Sequence, residues 1–254
     1  MGKVIAITNQ KGGVGKTTTA INLASSIALA EIDTLLVDFD SQANATSGIG
    51  IYPDMIKHSL YDALIDGVDI NECVYQSQVP HLDVLPSHKD LVGADEPLLR
   101  AVSRERIFKN ALKDLKKDYK YIFIDCPPSL GILTVNVLTA VDSIIIPIQC
   151  EYFALEGLTQ LLNTFNRIKK FLNQDIEIEG VLLTMFDPRL NLGKQVAKEI
   201  RSYFREKVFK TVITKNVRLA EAPSHGKPCI LYDASSRGSE AYMRLAEEIL
   251  LNGS

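Results

Sequence analysis

Unbroken apolar runs recur along this 254-residue chain and alternate with stretches of helical periodicity. The runs are 4–8, 34–38, 82–86, 121–125, 143–148 and 180–184. A strand with one wet face alternates apolar and polar positions. Most of these do not, which is how strands covered on both faces read. Between them, apolar positions spaced three and four apart predict helices over 17–30, 56–66, 104–117, 130–140, 154–172, 193–207 and 238–251. The alternation predicts an α/β fold, a doubly wound, mostly parallel sheet with helices on both faces. Right-handed crossovers would gather the functional loops at the carboxyl ends of the strands. The stretch 41–100 is rich in turn residues. No repeat, low-complexity linker or break in composition interrupts the chain, so 1–254 reads as a single domain.

Apolar residues make up 46 % of the chain, enough for a sizeable core. The formal net charge is −3, so no global basicity advertises nucleic acid, and only a local patch could bind it. No apolar run reaches the ~18 residues of a membrane span. A strand begins almost at the N-terminus, which leaves no room for a signal peptide. A cytoplasmic protein is expected. Cys73, Cys126, Cys150 and Cys229 are scattered without metal-ligand spacing and read as small hydrophobes. His58, His81, His88 and His225 are equally dispersed and receive no role.

Chemistry concentrates where apolar runs end. Residues 11–18, Lys-Gly-Gly-Val-Gly-Lys-Thr-Thr, join the first strand to the first helix. They fit the phosphate-loop pattern G-x-x-x-x-G-K-[ST] loosely, with a lysine and glycines compressed into its front. Gly12, Gly13, Val14, Gly15 and Thr18 would cradle phosphates with backbone N–H groups at a helix start. Lys16 would reach the β- and γ-phosphates, and the Thr17 hydroxyl would ligate Mg²⁺. Lys11 is a second lysine that an ordinary loop does not need. The second strand ends in Asp38 and Asp40, the fourth in Asp125-Cys126-Pro127-Pro128. Asp125, an acid after four apolar residues, has the form of a carboxylate that holds Mg²⁺ through water. Asp40 is the candidate for orienting an attacking water, with a water-mediated Mg²⁺ contact as a further option. Asp38 reads as a structural group or an indirect support of the metal. Either acid could instead cap the turn at 41–44.

One segment carries charge of a single sign. Residues 189–218 hold nine Lys or Arg and two acids. Lys194, Lys198, Arg201 and Arg205 fall at i, i+4, i+7 and i+11, one row of a helix. Val196, Ile200, Tyr203 and Phe204 occupy another face that would pack on the sheet. Most charge rows are merely solvated, but those mix signs. A one-signed row suits phosphate-backbone binding, and without a base-reading motif such binding would be sequence-independent and salt-sensitive.

These motifs together resemble the ParA/Soj branch of the deviant Walker A ATPases. The residues that carry the resemblance are the 11–18 loop, Asp38-Phe39-Asp40 with Gln42, Asn44, Ala45 and Thr46, the Asp125–Pro128 turn, and 217–228. It implies ATP and ADP as ligands with Mg²⁺, and an ATP-closed nucleotide-sandwich homodimer. Lys11 would reach across to the partner's phosphates and Gly12 would lie at the seam. It further implies slow hydrolysis stimulated by a ParB-like centromere-binding protein, and non-specific double-stranded DNA as cargo or track. Arg189 and Arg218 match positions that the family uses for DNA, and such a protein would associate with the nucleoid. Residues 151–157 would contribute to the dimer face. Pro223 is placed near the adenine. Two departures are visible: Ser41 stands where the family commonly has proline, and 30–33 lacks the glycine that often ends the first helix. Rival readings remain open. A MinD-like membrane switch would need a basic amphipathic C-terminal helix, whereas 247–248 is Glu-Glu. An iron–sulfur carrier would need cysteines at the seam, where Cys126 is the one candidate. A small-molecule kinase would leave Lys11 and the basic row unused.

Overall fold

The structure, a computed structural model, describes residues 2–151 and 154–252, with backbone alone over 154–157. Eight strands are present among the described residues: β1 (Lys3–Ile7), β2 (Thr34–Asp38), β3 (Tyr75–Gln76), β4 (Leu82–Leu85), β5 (Tyr121–Asp125), β6 (Ser143–Gln149), β7 (Glu177–Phe186) and β8 (Val208–Thr214). They form one sheet in the order β3-β4-β2-β5-β1-β6-β7-β8. Every pairing is parallel except the antiparallel edge pair β3–β4. From β1 the chain builds one side as β2, the edge strand β3 and then β4 between them, returns as β5 between β2 and β1, and then builds the other side from β6 to β8. The reversal falls at β1, and its carboxyl end is therefore the crevice where such sheets take ligands.

Ten α-helices accompany the strands among the described residues. They are α1 (Lys16–Ala28), α2 (Asn44–Gly48), α3 (Asp95–Arg100), α4 (Ile107–Lys113), α5 (Ile132–Ala140), α6 (Ala154–Phe171), α7 (Asn191–Phe204), α8 (Val217–Glu221), α9 (Cys229–Tyr232) and α10 (Arg237–Asn252). The two faces of the sheet feed two apolar clusters. Val4, Ala6, Ile122, Ile124, Ile144 and Ile146 point to one, shared with α4 to α7. Ile5, Ile7, Phe123 and Ile145 point to the other, shared with α1 and α10. Successive residues of one strand thus both lose water, which explains the unbroken runs. Each such side chain adds roughly 1.5–3 kcal/mol of burial free energy.

Several expectations are corrected. The helix expected over 56–66 is little more than the single turn Asp62–Asp66, because Ser59 caps onto Asp62 and Gly67 ends it at positive φ. The helix expected over 193–207 stops at Phe204, where the chain turns through Arg205 at φ 50° to enter β8. Strands β3 and β8 and the short helices α2, α3, α8 and α9 were not expected. At 30–33, where the glycine is missing, Glu31 takes φ 60° just beyond α1.

Candidate nucleotide site and basic face

Three neighbouring strands deliver the site. In register, Ile7 of β1 lies beside Asp125 of β5, and Asp125 beside Asp38 of β2. The loop after β1 is tied down from both sides. Asn9 donates to the Pro147 carbonyl at 2.7 Å and accepts from the Lys11 N–H at 3.0 Å. The Thr184 hydroxyl donates to the Val14 carbonyl at 2.8 Å. Gly13 and Gly15 adopt φ 73° and 89°, which a side chain would strain, and Gly15 caps α1. No acid lies in the first turn of α1, so its free N–H groups face the loop uncompensated.

Lys16 is buried, and its ammonium donates to the Lys11 carbonyl at 3.2 Å. Burial lowers its pKa, while the charges of Asp125, Cys126 and Asp40 pull it back up. Asp125 is fully buried, and neither carboxylate oxygen has a hydrogen-bond partner among the described residues. Desolvation and then the Asp38 charge raise its pKa well above the usual carboxylate range, opposed by the Thr17 hydroxyl and Lys16. Thr17 faces Asp125 outside hydrogen-bonding geometry. A carboxylate orphaned in this way, with a threonine hydroxyl opposite, fits a hydrated Mg²⁺, whose waters are donors.

The two acids of β2 differ in surroundings. Asp38 is fully buried and accepts three bonds: from Thr46 N–H at 2.8 Å, Thr46 Oγ1 at 2.7 Å and Asp40 N–H at 3.1 Å. Burial still pushes it up to about 6. Asp40 is half-buried and accepts from the Gln42 N–H at 3.0 Å. Of the two, Asp40 is partly exposed and Asp38 is not.

Lys11 leaves the phosphate cradle. Its ammonium meets Glu151 at the end of β6, 3.3 Å away. A Cβ on Gly12 would meet nothing within 4 Å, so nothing in the single chain requires glycine there. Of the 151–157 segment, Tyr152 and Phe153 lie outside the described residues.

A cavity of about 270 Å³ opens beside Gly15 and Thr18, walled by Thr184, Ile213, Asn216, Leu219 and Tyr242 among others. Mostly apolar, it suits a flat heterocycle attached to phosphates in the loop. Pro223 does not line it. That proline packs instead toward α2, where a Cβ on Gly48 would sit 3.5 Å from the Pro223 Cβ. Sequence reasoning missed the cavity wall because separate elements, far apart along the chain, supply it.

The basic residues lie along α7 and beyond the carboxyl ends of β7 and β8. Arg189 follows β7 and Arg218 opens α8 after β8, both at the carboxyl edge of the sheet. Lys194, Lys198 and Arg201 are exposed along α7, with no ion-pair partner among the described residues. Val196, Ile200 and Phe204 are buried beneath them. Tyr203, expected in that packed face, is exposed instead. Arg205 lies beyond the helix end, so the row within α7 has three members. Arg189 forks onto Asp187, and Arg218 contacts Glu221 at 2.8 Å and Asp233 at 3.3 Å.

A doubly wound sheet with a lysine-bearing phosphate loop at its reversal point defines a nucleotide-binding protein of the phosphate-loop class. The family model described as an AAA domain matches residues 2–178. The sporulation initiation inhibitor protein Soj of Bacillus subtilis is 57 % identical over 253 residues, covering 100 % of both chains. The chromosome partitioning protein ParA of Myxococcus xanthus is 52 % identical over 98 % of this chain and 88 % of its own. Among solved structures, a cobyrinic acid a,c-diamide synthase of Mycobacterium smegmatis with ADP and magnesium is 32 % identical, with TM-score 0.86 over 98 % of this chain and 94 % of that one. The chain belongs to the Soj/ParA family of chromosome-partitioning ATPases.

Proposed function

We propose that the chain, acting as one domain, is an ATP-driven switch. Binding of ATP with Mg²⁺ closes a homodimer, the dimer holds double-stranded DNA without reading its sequence, and slow hydrolysis releases it. Lys16 and the backbone of Gly13, Val14 and Gly15 bind the phosphates, with Thr17 and Thr18 at the helix start. Thr17 and Asp125 would hold Mg²⁺. The ion would offset charge on the phosphate oxygens. Asp40 orients the attacking water. The base occupies the cavity walled by β7, β8, α8 and α10.

Lys11 carries the switch. In the single chain it pairs with Glu151 at 3.3 Å rather than joining the phosphate cradle. A glycine that the monomer does not need lies beside it. Both facts suit a second subunit seated at Gly12 and a lysine that exchanges Glu151 for the partner's phosphates. An exposed pair of this kind is worth about 0–1 kcal/mol, so leaving it costs little. One added cation at the γ-phosphate then stabilises developing charge when two subunits meet.

Arg189, Lys194, Lys198, Arg201, Arg205 and Arg218 contact the DNA backbone, and dimerisation doubles that face. A ParB-like centromere-binding protein is the expected activator, and the protein works at the nucleoid. The membrane reading loses its structural element. Ala241, Tyr242, Leu245, Ala246 and Ile249 of α10 are spent in the core, and no described helix is long and apolar enough to cross a membrane. Cys126 is wholly buried, as a packing residue would be. The likeness to the synthase, 32 % identity, is weaker than that to the partitioning relatives.

Gel filtration and DNA retention with ADP, ATP and a Lys16→Ala variant test this reading. Dimer and DNA binding are expected with ATP and the parental chain alone. A dimer that retains DNA without nucleotide would overturn it.

A further inference from the structure

We infer that Thr46 is a positioning residue for hydrolysis, fixing the carboxylate that aims Asp40. The inference rests on the proposed role of Asp40 and adds a residue to it. Thr46 is 2 % exposed and sits within α2, six residues beyond Asp40. It touches neither the phosphate loop nor Asp125 through any described hydrogen bond. Its backbone N–H and its hydroxyl both donate to the same oxygen of Asp38, at 2.8 and 2.7 Å. The hydroxyl also accepts from the Ser87 N–H at 3.0 Å, just past the end of β4. A single side chain thus joins β2, α2 and β4 at the edge of the sheet that carries the site.

The other Asp38 oxygen accepts from the Asp40 N–H at 3.1 Å, and the adjacent Phe39 N–H donates to the Asp125 carbonyl at 2.9 Å. Asp40 therefore inherits its place from a carboxylate whose orientation Thr46 sets. Two donors on one oxygen leave Asp38 a single rotation, with its remaining oxygen on Asp40. Removing the hydroxyl leaves that oxygen one donor and deprives the Ser87 N–H of its acceptor, in a site with no exposed surface. A buried polar group stripped of its partner finds another or moves. The segment it would release is the one that orients water. Displacement by about 1 Å of a group that positions a reactant can cost up to ~100-fold in rate.

The test compares Thr46→Val, Thr46→Ala and Thr46→Ser in the full chain, with Asp40→Ala alongside. Single-turnover hydrolysis of radiolabelled ATP gives the chemical step, and a fluorescent ATP analogue gives affinity. Thr46→Val, which keeps the shape, and Thr46→Ala are expected to slow hydrolysis tenfold or more while nucleotide affinity stays within about twofold. Thr46→Ser keeps the hydroxyl and is expected to restore most of the rate. Adding Thr46→Val to Asp40→Ala should slow hydrolysis no further, since Thr46 acts only through Asp40. A parental rate in Thr46→Val, an equal loss of affinity and rate, or a Ser variant as slow as Val would overturn the inference. Melting temperature separates a misfolded variant from a slow one. Where Thr46→Val does not fold, the Ala and Ser pair decides. Parental hydrolysis by Asp40→Ala would instead overturn the role of Asp40 itself.

Discussion

Asp125 is the residue at which the fold is locally least content. Both its oxygens are buried without donors among the described residues, and Asp38 stands in register beside it. An unpartnered buried polar group costs about 1–3 kcal/mol, and more when charged. Sites that hold a ligand commonly keep such a conflict. Replacing Asp125 with Asn should therefore raise the melting temperature of the nucleotide-free protein while weakening its Mg²⁺-dependent retention of ATP. The sign with pH follows from the raised pKa. A carboxyl held protonated in the folded state costs nothing extra at low pH, and its charge costs stability as pH rises through the folded value. The advantage of Asp125→Asn should thus grow from acid to neutral pH in thermal melts. A constant or shrinking advantage would show that the orphaned charge is not the cause. At this scale much of the site is legible in the sequence, because Asp40 and Asp125 follow apolar runs and Lys16 and Thr17 close a glycine-rich loop between a run and a helix. Thr46 and the base cavity are not. One acts through a carboxylate eight residues away, and the other is assembled from separate elements.

At the scale of elements, the buried strands are easy to read and the edges are not. β8 escapes notice because it is an edge strand whose Lys210 is exposed. Its outer N–H groups are satisfied by Glu248 of α10, which accepts from Lys210 and Thr211 at 2.7 and 3.0 Å. One of the two acids that argue against a membrane helix thus holds a strand. Helices α2, α8 and α9 have four or five residues, too few for a 3.6-residue period to show. The end of α1 carries a visible fault: Glu31 sits at φ 60°, where a glycine would be unstrained. Glu31→Gly is expected to stabilise the fold by about 0.5–1 kcal/mol, since the left-handed backbone costs a side-chain-bearing residue roughly 1–2 kcal/mol. Chemical denaturation measures it, and a loss of stability would contradict the strain. The basic face is also an element-scale object. Replacing Arg189 and Arg218 with Glu should abolish DNA retention and leave ATP binding intact. Intermediate variants should flatten the log–log salt dependence by roughly 0.9 for each phosphate no longer neutralised. DNA affinity unchanged with ATP present would remove this face from the account.

The whole molecule is built around one asymmetry of a single chain. The sheet reverses at β1, so the phosphate loop, Asp40, Asp125 and the base cavity all collect at one edge, and the loop leading to Arg189 starts there as well. The proposed nucleotide and DNA contacts would therefore share a boundary, and a partner seated against Gly12 would press on both. The reciprocal expectation is that DNA stabilises the ATP dimer as much as ATP stabilises DNA binding. Lys11 is where the proposed switch depends on two chains: its ammonium lies on Glu151 in one chain, and the proposal gives it work only on the nucleotide of the other. Mixing two inactive chains tests this most directly. Lys11→Ala keeps its own phosphate cradle and Asp40, and lacks only what the partner should supply. Asp40→Ala cannot orient water but can supply Lys11. Each alone should hydrolyse ATP far more slowly than the parent. Mixed in equal amounts with DNA and ATP, they should recover roughly a quarter of the parental rate, since random pairing makes half the dimers mixed, with one complete site each. A mixture no faster than its components would mean that Lys11 acts on its own chain's nucleotide, or not at all.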